Sequence, residues 1–152
     1  MVTPRLILVL GDQLTPEVAA LRAADKTRDV VIMAEVAAET SYVPHHPKKI
    51  ALVLSAMRKF AARLERDGWT VAYSRLDDPE NTGSITGELI RRAAAFGATE
   101  VIATVPGEWR LIHALEAKRP KARYYVTFPT YAAAFLRRVL PTGALDAVAA
   151  KN

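Results

Sequence analysis

The sequence contains no cysteine. Without a thiol, the chain itself can form no disulfide, no cysteine-ligated zinc site, no iron–sulfur cluster and no thiolate nucleophile. It also lacks any apolar run near the roughly 18 residues that a membrane-spanning helix requires. Its first residues show no signal-peptide pattern. These absences predict a cytoplasmic protein with no membrane partner.

Motifs that mark common catalytic and phosphate-binding sites are also missing. Neither G-x-G-x-x-G nor G-x-x-x-x-G-K-[ST] occurs, so no glycine-rich phosphate loop is predicted. No serine stands in a G-x-S-x-G nucleophile elbow. Adjacent side chains diverge, and His45-His46 have no third ligand at metal-binding spacing, so we predict no metal site. No catalytic residue is predicted either.

Most of the chain lacks net positive charge, although the formal net charge of the whole is +5. Residues 1–117 hold 14 Lys and Arg against 15 Asp and Glu, a net charge of −1. Residues 118–152 hold seven Lys and Arg against Asp146 alone, a net charge of +6. A body without net positive charge is a poor nucleic-acid binder, so we expect any phosphate contact to involve the tail.

Apolar, strand-like runs alternate with helical patterns along the sequence. The strands are predicted near residues 5–10, 30–34, 69–73, 100–105 and 124–128. The helices are predicted from Thr15-Pro16 onward and near residues 48–66, 84–96 and 107–117, with a polar loop over 37–47. This alternation predicts an α/β fold: a Rossmann-like parallel sheet of about five strands, in the order 3-2-1-4-5, with helices on both faces.

Three polar or glycine-bearing segments directly follow predicted strands 1, 2 and 4. They are Gly11-Asp12-Gln13, Glu35 to Pro47, and Pro106-Gly107-Glu108-Trp109. Ligands bind outside the carboxyl ends of parallel strands, so these segments predict one pocket at the switch point of the sheet. Carboxylates and an amide suit hydroxyls or ring nitrogens, and aromatic rings can stack on a flat ligand.

Each segment also has a plainer interpretation. The first can be a simple strand-to-helix turn, Glu39 can be a solvent-exposed loop carboxylate, and Trp109 can be a core residue. From the residues alone, the chain is a ligand-binding α/β domain without visible catalytic machinery.

Several of these stretches are similar to a known family. Leu8 to Leu14 resembles the opening strand and turn of the photolyase–cryptochrome superfamily. More specific are Glu35 to His46, Lys48 to Arg58, Asp77 to Glu88, and Pro106 to Arg110. They resemble the deoxyribodipyrimidine photolyase-related proteins, the bacterial iron–sulfur cryptochromes and prokaryotic (6-4) photolyases. The likeness covers roughly residues 5–116.

The resemblance implies that residues 1–117 form an N-terminal antenna domain. In that family this domain binds 6,7-dimethyl-8-ribityllumazine, which absorbs light and passes the excitation to FAD. FAD, the iron–sulfur cluster and the DNA-lesion site belong to a C-terminal helical domain. Residues 118–152 depart from the family pattern as a basic, alanine-rich tail. We therefore expect a truncated family member that lacks repair activity alone. In full-length relatives, the resemblance implies that DNA is contacted only through the C-terminal domain.

The family's chromophore pocket can be carried onto matching positions of this sequence. These are Asp12, Gln13, Glu35, Glu39, Tyr42, Gly107, Glu108 and Trp109. Among them, Glu39 is the carboxylate we expect to matter most for the lumazine. The alternative is a free-standing small-molecule or nucleotide-binding α/β protein. A response-regulator domain is disfavoured, because the acidic pair after strand 1 and the lysine ending strand 5 are missing.

Overall fold

The structure is a computed structural model, and it describes residues 3–41, 44–117 and 121–125. Strands and helices alternate along most of this part of the chain. The strands are β1 (Leu6–Leu8), β2 (Val30–Ala34), β3 (Thr70–Ser74), β4 (Glu100–Thr104) and β5 (Lys121–Tyr125). The helices are α1 (Ala19–Arg22), α2 (Ala37–Ser41), α3 (Pro47–Arg66), α4 (Ile85–Phe96) and α5 (Trp109–Ala117).

The five strands form one sheet in the order β3-β2-β1-β4-β5, and all neighbouring pairs are parallel. The predicted α/β class, parallel sheet and order of the first four strands are confirmed. The fifth strand begins at Lys121, three residues before its predicted start, and residues 126–128 lie outside the described residues. Its register on β4 pairs Glu100 with Lys121, and no local pattern in the sequence specifies that pairing.

Apolar side chains cover both faces of the sheet. Leu6 and Leu8 of β1 belong to one core cluster, whereas Ile7 belongs to the other. This explains why β1 reads as a continuous apolar run rather than an alternating one. Helices α1 and α3 pack on the Ile7 face, and α4 and α5 pack on the opposite face. The predicted helices on both faces are therefore present.

Two helical segments also differ from their predictions. Helix α1 begins at Ala19 rather than beside Thr15. Thr15 instead opens a turn in which its carbonyl accepts from the Val18 N–H. The segment predicted as a polar loop over 37–47 contains the short helix α2. The Thr40 and Ser41 hydroxyls of α2 both donate to the Ala37 carbonyl.

Candidate functional site

A cavity of about 330 Å³ lies where the strands β1, β2 and β4 end. Residues that follow all three strands line it: Leu10, Gly11 and Asp12 after β1, Glu35 and Val36 after β2, and Glu108 and Leu111 after β4. The site therefore lies at the switch point of the sheet. The strands β2 and β3 lie on one side of β1, and β4 and β5 lie on the other.

One side of the cavity is an apolar wall contributed by α3. Ile50, Val53, Leu54 and Met57 line the cavity and recur at helical spacing, so they lie on one face of that helix. Gly11 lets the helix lie close to the end of β1. A β-carbon at Gly11 would lie 3.1 Å from the Met57 sulfur and 3.2 Å from a Val53 methyl carbon.

The cavity is also lined by polar side chains, and we call this set of residues the rim. The rim consists of Asp12, Glu39, Thr40, His45, Lys49 and Glu108. Asp12 and Glu108 are exposed, whereas Glu39 and Thr40 are half-buried. The rim therefore contains three carboxylates that can accept hydrogen bonds from a ligand, along with one ammonium group that can donate.

Arg110 of α5 joins two carboxylates of the rim. Its guanidinium donates to both Glu39 oxygens, at 3.2 and 2.9 Å, and to Glu108 at 3.2 Å. The hydrogen bonds to Glu39 raise the pKa of Arg110, although partial burial opposes this. Since Glu39 is on α2 and Arg110 on α5, this bidentate pair connects the β2 and β4 sides of the cavity.

Glu35 also borders the cavity, but its carboxylate is buried and held by the protein. Arg58 donates to its two oxygens at 2.6 and 2.8 Å, the Tyr73 hydroxyl donates at 2.7 Å, and the Leu76 N–H donates at 3.0 Å. Burial alone would raise the pKa of Glu35, but these donors together hold it below its usual range. A ligand contact by Glu35 stays a prediction.

The remaining predicted site residues have different surroundings. Gln13 is buried; its amide donates to the Thr104 carbonyl at 3.4 Å, and its Oε1 atom has no hydrogen-bond partner among the described residues. Gly107 approaches the rim, since a β-carbon there would lie 3.7 Å from an Asp12 carboxylate oxygen. Tyr42 and the side chain of Trp109 lie outside the described part of the chain.

Comparison with known sequences identifies the family of this chain. The family model of the deoxyribodipyrimidine photo-lyase-related protein matches residues 7–136. The chain belongs to this family. Over 107 residues it is 50% identical to a (6-4) photolyase of Agrobacterium fabrum, an alignment that covers 70% of this chain and 21% of that protein. The photolyase-related chain thus spans about a fifth of that relative's length, and the resemblance stated from the sequence is confirmed.

The described residues of this photolyase-related chain contain no helix long and apolar enough to cross a membrane. Within the same residues, no group of three or more His, Asp or Glu side chains could hold a metal ion.

Sequence reasoning missed Arg58 and Arg110 as parts of the site. Arg110 carried a usable signal, because a cation in the first turn of a helix is disfavoured by the helix dipole unless a carboxylate lies nearby. Arg58 carried no comparable signal, because its partner Glu35 is 23 residues earlier in the sequence. Helix α2 and the first half of α3 separate the two residues.

Proposed function

We propose that this chain is the antenna-chromophore-binding domain of a photolyase-type flavoprotein and that its cavity binds 6,7-dimethyl-8-ribityllumazine. The observation that carries the proposal is the cavity itself, which combines an apolar helix face with a carboxylate-bearing rim at the sheet's switch point. Family membership supports the same function.

The residues around the cavity suit the lumazine chemically. Its flat ring can lie against the apolar wall formed by Val53, Leu54 and Met57, and its ribityl hydroxyls can donate to rim carboxylates. A cavity of about 330 Å³ is at the lower end of the range of about 300–1,000 Å³ found for small-molecule sites. When bound, the lumazine absorbs light and passes the excitation to FAD in full-length relatives.

The residues of this chain bind and orient the ligand. Glu39 accepts hydrogen bonds from the ring or the ribityl chain, and Asp12 and Glu108 are the other rim carboxylates within the same cavity. The apolar wall excludes water from the ring. The FAD and the DNA of the light-driven reaction belong, in this proposal, to a C-terminal domain of full-length relatives.

The alternative, a nucleotide-binding protein, is less well supported by the rim. The three rim carboxylates outnumber the two cations beside them. These cations are Lys49, which lines the described cavity, and Arg110, which pairs with Glu39 and Glu108, so the rim suits phosphates poorly. A neutral, hydroxyl-rich ligand has no such conflict.

The proposal is tested by titrating the purified chain with lumazine and following the ligand's fluorescence. A hydrogen bond to a charged group contributes about 1.5–3 kcal/mol, so Glu39→Ala should weaken binding roughly 10- to 150-fold. Glu65→Ala is the matched control, because Glu65 is an exposed glutamate near the far end of α3. It should leave the affinity unchanged.

Two outcomes would contradict the proposal. One is that the parent chain binds no lumazine, and the other is that Glu39→Ala binds it as tightly as the parent does. Purification of the chain with a stoichiometric nucleotide and no lumazine would instead favour the nucleotide-binding alternative.

A further inference from the structure

Helix α2 forms part of the cavity but is only lightly anchored to the core. None of its five residues is buried, and Ala37 and Ser41 are exposed. Glu39 and Thr40 of this helix line the cavity. Elements with few buried apolar contacts open locally at low cost, so α2 is the part of the cavity boundary best suited to move.

Two contacts join α2 to residues much later in the chain. The Ala38 N–H donates to the Gly83 carbonyl at 3.0 Å. The Glu39 carboxylate accepts both hydrogen bonds from Arg110, a residue 71 positions further along the chain. Val36, the residue just before α2, is buried and anchors the start of the helix. The middle of α2 is held by the polar contacts of Ala38 and Glu39.

Arg110 itself is held in place by a second acceptor. Glu108 accepts from the same guanidinium nitrogen that bonds Glu39. Glu108 lies just before α5, on the β4 side of the cavity. The guanidinium therefore bonds a carboxylate on the β4 side of the cavity and reaches across to the carboxylate of α2 on the other side.

We propose that Arg110 is a positioning residue and that its pair with Glu39 is a latch, which holds α2 as a movable wall of the cavity. The ligand enters and leaves when the pair opens. The role in ligand entry rests on the proposed function, whereas the latch is a property of the ligand-free chain.

The strength of the pair suits a latch that opens often. The Arg110 and Glu39 side chains are 43% and 28% exposed, so solvent screens their attraction. Exposed pairs of this kind shift an equilibrium by about 1.5-fold to fivefold. That is enough to favour the closed wall and too little to trap a ligand.

The latch is tested by amide hydrogen exchange, measured residue by residue by NMR on the ligand-free full chain. Arg110→Gln should speed exchange of the Ala38 and Glu39 amides by about 1.5-fold to fivefold. Arg63→Gln is the matched control, since Arg63 is an exposed arginine paired with Asp67 at 3.7 Å at the far end of α3. It should leave α2 unchanged.

Salt supplies a second measurement that needs no substitution. Raising the salt to about 1 M screens exposed charges, so it should speed exchange of α2 in the parent and have little effect in Arg110→Gln. Arg110→Lys keeps the charge but loses the bidentate geometry, and we expect it to lie between the two. Unchanged α2 exchange in Arg110→Gln would overturn the latch.

Stopped-flow binding of lumazine tests the role in entry. Arg110→Gln should raise both the association and the dissociation rate, because the wall opens more often. An unchanged association rate in a variant whose α2 exchange is faster would overturn that role. If the parent binds no lumazine, the proposed function fails, and the exchange experiment still decides whether the latch exists.

Discussion

Glu35 and Glu39 are four residues apart at the end of β2 and have opposite surroundings. The Glu35 side chain is fully buried and accepts hydrogen bonds from Arg58, Tyr73 and Leu76. The Glu39 side chain is partly exposed and pairs with Arg110. At the residue scale, the first carboxylate is enclosed by protein donors, whereas the second lies at the rim of the cavity and pairs with an exposed arginine.

This difference predicts different costs for the same isosteric change. Glu35→Gln should lower the free energy of unfolding by about 1.5–3 kcal/mol, because it removes the charge from a buried, hydrogen-bonded acceptor. Glu39→Gln should lower it by less than about 1 kcal/mol. Urea denaturation of both variants measures the two costs, and a larger cost for Glu39→Gln would refute the assignment.

At the element scale, the contact between Gly11 and α3 shapes the cavity. An added methyl group at Gly11 meets Met57 and Val53, both of which line the cavity. We expect Gly11→Ala to lower stability by about 1–3 kcal/mol through overpacking. It should also weaken lumazine binding, since α3 or its side chains must shift.

A double-mutant cycle tests whether this contact is the cause. Met57→Ala removes the side chain that the new methyl group meets, so the double variant should be more stable than the sum of the two single costs implies. If urea denaturation shows that the stability losses of the two single variants simply add, the contact with Met57 is not the cause of the loss in Gly11→Ala.

At the scale of the whole molecule, buried carboxylates paired with arginines recur around the fold. Asp29 accepts from Arg5 and Arg28, and Glu88 accepts from Arg91 and Ser74. Burial alone would raise the pKa of Glu88, but Arg91, Ser74 and the Thr82 N–H together lower it from 4.5 to about 2. The pKa of Asp29 is lowered in the same way by its arginines.

These shifts predict acid sensitivity. A carboxyl whose pKa is lower in the folded state stabilises the fold above its unfolded pKa, and that contribution is lost as the pH falls. For Glu88 the loss should occur between pH 4.5 and about 2. Urea denaturation across this range should show falling stability in the parent and a shallower fall in Glu88→Gln. Equal slopes for the two proteins would contradict the pairing.

The sequence by itself determined the parallel sheet, the order of its first four strands and the place of the cavity. Fully apolar runs such as Leu6 to Leu10 can be buried on both faces, which specifies parallel strands covered by helices. The strand order then places Asp12, Glu35 and Glu108 at one edge, and the structure shows all three around one cavity. Their role in binding stays a prediction.

Only the tertiary structure decided which arginine pairs with each carboxylate and how deeply that carboxylate is buried. The spacing of apolar residues predicts which face of a helix or strand is buried. It does not predict side-chain pairs such as Arg110 and Glu39, which are 71 residues apart in the sequence. Glu35 and Glu39 look equivalent in sequence, yet packing buries one against Arg58 and leaves the other at the rim. The start of α1 and the existence of α2 were settled in the same way, because short helices depend more on local hydrogen bonds and packing than on propensity.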